Sequence, residues 1–236
     1  MKVHRFPLPA ARSLFSALFL ALMAQGAFSG QLRGQEDPLA GLDEFMAQVL
    51  DTWKAPGVSL AVVKNDSVIL ARGYGVRDLR SGEPLDAHSL FAVASTSKAF
   101  TAAALAMLVD EGLISWDDRV TDHLPGFQLH DPYVTREITV RDLLSHRGGL
   151  PRGDRLWYGS PLSRDEVIQR VRHLEPAWSF RSRYGYQNIM FITAGELIQA
   201  VTGTSWDDFL QDRIFDPLGM ESTRTTTRAI TELPNV

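Results

Sequence analysis

Between residues 38 and 53 the apolar positions Leu39, Leu42, Phe45, Met46, Val49 and Leu50 recur at helical intervals. That spacing predicts an amphipathic helix, stopped by Pro56-Gly57. The pattern then changes to two strand-like runs, 58–63 and 67–75, which flank Lys64-Asn65-Asp66 and predict a hairpin. A loop with Gly82 and Pro84 leads to an alanine- and leucine-rich helix that ends at Gly112. Residues 116–162 read as loop with short helical pieces, one of them opened by Thr139-Val-Arg-Asp142 with capping-box spacing. Ser163-Arg-Asp-Glu166 has the same form, so Glu166 reads as a cap rather than a catalytic acid. A further helix is predicted over 189–201, closed by Gly203, and another runs from Ser205 to Ile214 before Pro217. Helices carry most of the mass. A lone hairpin is barely stable in water, so its strands are expected to pair with others, supplied after Val236.

The N-terminus adds an export signal. Lys2, Arg5 and Arg12 give a basic start, 14–24 is an apolar run, and small residues follow. Ala27-Phe28-Ser29 is the first choice of cleavage site and Ala24-Gln25-Gly26 the second, which makes 1–29 a signal peptide. The apolar run falls short of the ~20 residues of a membrane span, and no later stretch approaches that length. A periplasmic or secreted protein with no stable membrane span is expected. The chain has no cysteine, which excludes a disulfide frame, a thiolate nucleophile and a cysteine-borne lipid anchor. A net charge of -4 argues against a nucleic-acid partner. The six histidines show no metal-ligand spacing, so no metal or other cofactor is expected.

One stretch carries candidate chemistry: Phe91-Ala-Val-Ala-Ser95-Thr-Ser-Lys98, at the mouth of the alanine-rich helix. Three residues apart on a helix, Ser95 and Lys98 lie about one turn apart on one face. A hydroxyl within reach of an amine sheltered by alanines and Phe100 is the minimum apparatus for a serine nucleophile with a lysine base. To act as base at neutral pH, the amine must lose roughly three units from a reference near 10.4, about 4 kcal/mol, which burial can supply. The plainer alternative is a helix cap followed by a solvated lysine. A second candidate is Tyr186-Gln-Asn188, just before the 189–201 helix. In an extended segment the two side chains point the same way. A phenol beside an ammonium is a proton carrier, and an asparagine offers donor and acceptor to a substrate amide. The alternative is a packed tyrosine and a capping asparagine.

Taken in order, Phe91-Ala-Val-Ala-Ser-Thr-Ser-Lys98, Asp110-Glu-Gly-Leu-Ile114, Leu143-Leu-Ser-His-Arg-Gly-Gly-Leu-Pro151, Tyr186-Gln-Asn188 and Ile214-Phe-Asp-Pro-Leu-Gly-Met220 resemble the serine β-lactamase and penicillin-binding-protein superfamily. The likeness is to its branch of class C β-lactamases, D-aminopeptidases, DD-carboxypeptidases and related esterases. The resemblance implies an α/β fold of the α+β type, β-lactamase/transpeptidase-like, with an antiparallel sheet flanked by a helical region. It also implies that Ser95 is acylated, Lys98 takes its proton, Tyr186 shares the base role and activates water, and Asn188 holds the substrate amide. The Ser95 backbone N–H would supply one oxyanion donor. The family's third motif, a Lys- or His-containing triad ending in glycine after the Pro-Leu-Gly-Met region, is not found. His146-Arg147-Gly148 fits it in form but precedes Tyr186. Residues 36–236 are therefore expected to be the N-terminal part of a longer hydrolase domain, with its last strands missing. The expected reaction is acyl-enzyme hydrolysis of a small-molecule or short peptide amide or ester. A penicillin-binding sensor that does not turn over, or an inactive relative, stays open beside it, as does the oligomeric state.

Overall fold

The computed structural model describes residues 38–230; the expected signal peptide, 1–29, lies outside the described residues. The chain divides into two compact units, Met1–Ala87 and His88–Val236.

In the first unit, helix α1 (Leu42–Trp53) precedes a three-stranded antiparallel sheet of order β1-β2-β3, with β1 Gly57–Lys64, β2 Ser67–Asp78 and β3 Glu83–Pro84. The helix starts four residues later than its periodicity predicts, because residues 38–41 form turns and Gly41 is left-handed. The hairpin stands as read. Asn65 and Asp66 both take positive φ, the twist that a two-residue connection between antiparallel strands demands. Gly75 is required twice over: its φ is +80°, and a Cβ there would lie 2.2 Å from the Pro56 carbonyl oxygen. Asp43 ties α1 to β2, accepting from Arg72 Nη1 at 2.6 Å and from the Tyr74 hydroxyl at 2.9 Å. Val63 and Val68, paired across the hairpin, remain exposed.

The second unit is helical, and its core holds Leu105, Leu108, Val120, Ile138, Leu143, Met190, Leu197, Ile198 and Leu210, each no more than 1% exposed. Burying each such side chain contributes roughly 1.5–3 kcal/mol. The elements are α2 (Ser97–Asp110), α3 (Val120–His123), α4 (Pro132–Glu137), α5 (Val140–Leu144), α6 (Arg164–Arg170), α7 (Ile189–Thr202) and α8 (Trp206–Leu210). Helix α7 is apolar nearly all round, and α2, α3, α5, α6 and α8 all pack on it. Both expected capping boxes form: Thr139 with Asp142 opens α5, and Ser163 with Glu166 opens α6. Glu166 bonds the Ser163 N–H at 2.8 Å, as a cap does. Gly203 closes α7 in the left-handed region.

Candidate active site

Ser95 lies in a 3₁₀ turn, Ala94–Thr96, directly ahead of α2 rather than inside it. Ala94, the first residue of that turn, has a left-handed φ of 46°. A left-handed alanine costs on the order of 1–2 kcal/mol, a strain that clusters at working sites. Thr96 Oγ1 donates to the Val93 carbonyl at 2.6 Å and closes the turn. The turn runs straight into α2, so the spacing argument survives: Lys98 Nζ donates to Ser95 Oγ at 3.0 Å.

Tyr186 and Asn188 meet this pair on the segment that enters α7. Lys98 Nζ donates to Tyr186 Oη at 2.7 Å and to Asn188 Oδ1 at 2.8 Å. Ser95 Oγ and Tyr186 Oη are 2.5 Å apart. The amine thus faces three oxygens, one for each proton that an ammonium carries. Either hydroxyl of the Ser95–Tyr186 pair can donate to the other. The Tyr186 phenol is lowered from the usual 10.0, first by the Lys98 hydrogen bond, then by that of Ser95, with burial opposing both. Asn188 occupies the N-cap position of α7, but its side chain makes no cap bond; it serves the site instead.

Residues that local pattern did not reveal complete the arrangement. Asp154 Oδ1 accepts from Asn188 Nδ2 at 3.1 Å and from Trp157 Nε1 at 3.2 Å, while Arg152 Nε donates to Asp154 Oδ2 at 2.7 Å. The Arg152 guanidinium also sits 5.4 Å from the Tyr186 ring centroid. Asp142, half of the α5 capping box, is buried and accepts from Arg181 Nη2 at 2.5 Å and from Arg181 Nε at 3.0 Å. Burial pushes the Asp142 carboxyl up, but the Arg181 and Thr139 hydrogen bonds outweigh it and hold the group below its ordinary value. Through that pair, α5 grips the loop that delivers Tyr186. His146 lies against the Tyr186 ring, with centroids 4.6 Å apart. Its own sequence motif was visible, although its contact with Tyr186 was not.

A cavity of about 450 Å³ opens from Ser95 and Lys98 past Asn188, between Trp157, Phe191 and Trp206. Its apolar lining would hold an organic group beside the serine oxygen. Among the described residues no three His, Asp or Glu side chains are placed to hold a metal ion.

The profile of the family described as Beta-lactamase matches residues 42–234. An unguisins hydrolase of Aspergillus campestris is 38% identical over 79% of this chain and 36% of its own length. Penicillin-binding protein 4 of Amycolatopsis lactamdurans is 34% identical over 72% of this chain and 45% of its own. Among solved structures, the octameric penicillin-binding protein homologue from Pyrococcus abyssi superposes with a TM-score of 0.71 at 26% identity, covering 83% of this chain and 46% of the other. The D-amino acid amidase of Ochrobactrum anthropi, complexed with L-phenylalanine amide, gives 0.68 at 27% identity over 80% of this chain and 53% of its own. The chain thus spans less than half the length of the first two relatives.

Proposed function

The chain belongs to the β-lactamase family, and from that premise we propose that the protein is an exported serine hydrolase working through an acyl-enzyme. Its substrates are amides or esters: β-lactams, D-amino-acid peptides or small esters. The observation that carries this reading is Ser95 Oγ held at once by Tyr186 Oη at 2.5 Å and Lys98 Nζ at 3.0 Å. Ser95 Oγ attacks the substrate carbonyl carbon as its proton passes to Tyr186 Oη. Lys98, which donates to both oxygens, lowers the cost of negative charge on either. The Ser95 backbone N–H, in the turn before α2, donates to the developing oxyanion. Tyr186 then returns its proton to the leaving group, so that amine or alcohol departs neutral and the ester on Ser95 remains. In the second half-reaction Tyr186 takes a proton from the water that attacks that ester, then returns it to Ser95 Oγ as the acyl C–O bond breaks and the acid is freed. Asn188 keeps one Nδ2 proton for a substrate carbonyl while Asp154 takes the other.

Relatives named as penicillin-binding proteins and as hydrolases both support the chemistry up to the acyl-enzyme. The order of basic, apolar and small residues in 1–29 supports export. The Leu143-Leu-Ser-His-Arg-Gly-Gly-Leu-Pro151 segment supports the class C-related branch.

Mass spectrometry of the full-length, leader-free protein after a fluorophosphonate probe tests the mechanism. A stoichiometric adduct on Ser95, absent in Ser95→Ala, is expected; an unlabelled wild-type protein would overturn the reading. With a β-lactam or ester in place of the probe, a lasting adduct without product identifies a penicillin-binding sensor rather than a hydrolase.

A further inference from the structure

The geometry points to His146 as the positioning residue of Tyr186: one residue brackets the tyrosine by accepting a hydrogen bond on each side of it. This rests on the proton-carrying role of Tyr186 given above. The His146 carbonyl accepts from the Gly185 N–H at 2.8 Å, and its ring Nδ1 accepts from the Gln187 N–H at 3.1 Å. Gly185 and Gln187 are the immediate neighbours of Tyr186, so the tyrosine has a fixed main chain before and after it.

A single residue reaches both because His146 has a left-handed backbone, with φ of 57°. That conformation is uncommon outside glycine, and histidine and asparagine are among the residues enriched there. The imidazole is buried, 9% exposed, and lies over the Tyr186 ring. To accept at Nδ1 the ring must be neutral with its proton on Nε2. Burial and the nearby Lys98 charge both hold the imidazolium form below its ordinary range, consistent with that requirement. The surrounding loops give the bracket a rigid base. The Gln187 side chain donates to the Leu150 carbonyl at 2.7 Å, and the Arg181 N–H donates to the Arg147 carbonyl at 2.8 Å. His146 acts through Tyr186.

Two substitutions separate the bracket from simple ring packing. Asn at 146 tolerates the left-handed backbone and offers Oδ1 near the place of Nδ1, but has no ring to stack. Phe keeps a ring and leaves the Gln187 N–H without its acceptor. In the full-length protein, the rate of fluorophosphonate adduct formation on Ser95 should fall about 100-fold in His146→Phe, the scale of a displacement near 1 Å in a catalytic group. His146→Asn should retain most of the wild-type rate. Wild-type rate in His146→Phe, or equal losses in the two variants, would overturn the bracket. A second readout needs no reactivity and no folded variant: the ring nitrogen resonances of ¹⁵N-histidine-labelled wild-type protein. An unprotonated Nδ1 with Nε2 protonated supports the proposal; a protonated Nδ1 overturns it. A wild-type protein with no Ser95 adduct but this tautomer would sink the hydrolase reading alone and leave the bracket standing.

Discussion

Asn188 can face only one way, because Lys98 and Asp154 stand at its two ends. An ammonium only donates and a carboxylate only accepts, so Oδ1 must meet Lys98 at 2.8 Å and Nδ2 must meet Asp154 at 3.1 Å. Asp154 is therefore expected to matter through Asn188. Asp154→Ala frees the amide to turn and should lower kcat/KM for a chromogenic ester about tenfold, the equivalent of one hydrogen bond of ~1.4 kcal/mol. An unchanged kcat/KM would remove Asp154 from the site.

Tyr186→Phe deletes the oxygen that faces both Ser95 and Lys98 and leaves the ring packing in place. Adduct formation on Ser95 should slow by at least about 100-fold, the lower range for losing a positioned acid–base group. The thermal midpoint should hardly move. A variant that acylates normally and fails only in hydrolysis would give the first proton to Lys98 alone.

The pH dependence follows from the same phenol. Its folded pKa is below 10.0, so the phenolate needed to accept the serine proton is present at lower pH than for a free tyrosine. The adduct rate should rise with pH and level off once the phenol is ionised, with its midpoint below that value. Arg152 adds a favourable charge near the ring. Arg152→Gln should move the midpoint to higher pH, read from rate against pH in matched buffers. A midpoint that stays put would show that solvent screens Arg152.

Asp142 and Arg181 hold α5 to the Tyr186 loop, with side chains 9% and 44% exposed. Fully buried pairs cost about 3–5 kcal/mol when one partner is removed, but the half-exposed Arg181 calls for a discount, to about 2 kcal/mol for Asp142→Ala. The carboxyl's folded pKa is depressed, so its stabilisation is complete above its unfolded value, near ~3.9, and is lost as pH falls through the folded value. Denaturant curves of wild type and variant should therefore differ at neutral pH and converge in acid. A constant difference would assign the effect to packing.

Gly185 has no room for a side chain: a Cβ would fall 1.7 Å from the Trp178 ring. Gly185→Ala must displace either Trp178 or the segment leading to Tyr186. It should lower both the thermal midpoint and the Ser95 adduct rate. A fully active variant would show that Trp178 yields without disturbing Tyr186.

The elements and the four principal side chains were legible because they rest on short-range rules. Helical periodicity, two capping boxes, a left-handed turn at Asn65-Asp66 and the C-terminal glycine of α7 each act within a few residues. The Ser95–Lys98 spacing is equally local, and the ordered motifs supplied Tyr186 and Asn188. What the local rules did not show is the left-handed Ala94 in the turn that carries Ser95 at the helix mouth, because an alanine gives no sign of positive φ.

Asp154, Arg152, Arg181 and His146 were invisible as partners for a different reason. Asp154 meets Asn188 across 34 residues of chain, Arg181 meets Asp142 across 39, and His146 meets Gln187 across 41. Hydrogen bonds of about 3 Å need two segments brought into register by packing, and no spacing along the chain encodes that register. The sequence by itself determined which reactive groups are present, since a hydroxyl, an amine, a phenol and an amide are fixed by residue type. Only the tertiary structure decided how they are aimed, because the apolar helix α7 and the core around it bring the α2 turn, the His146 loop and the Tyr186 segment to one place.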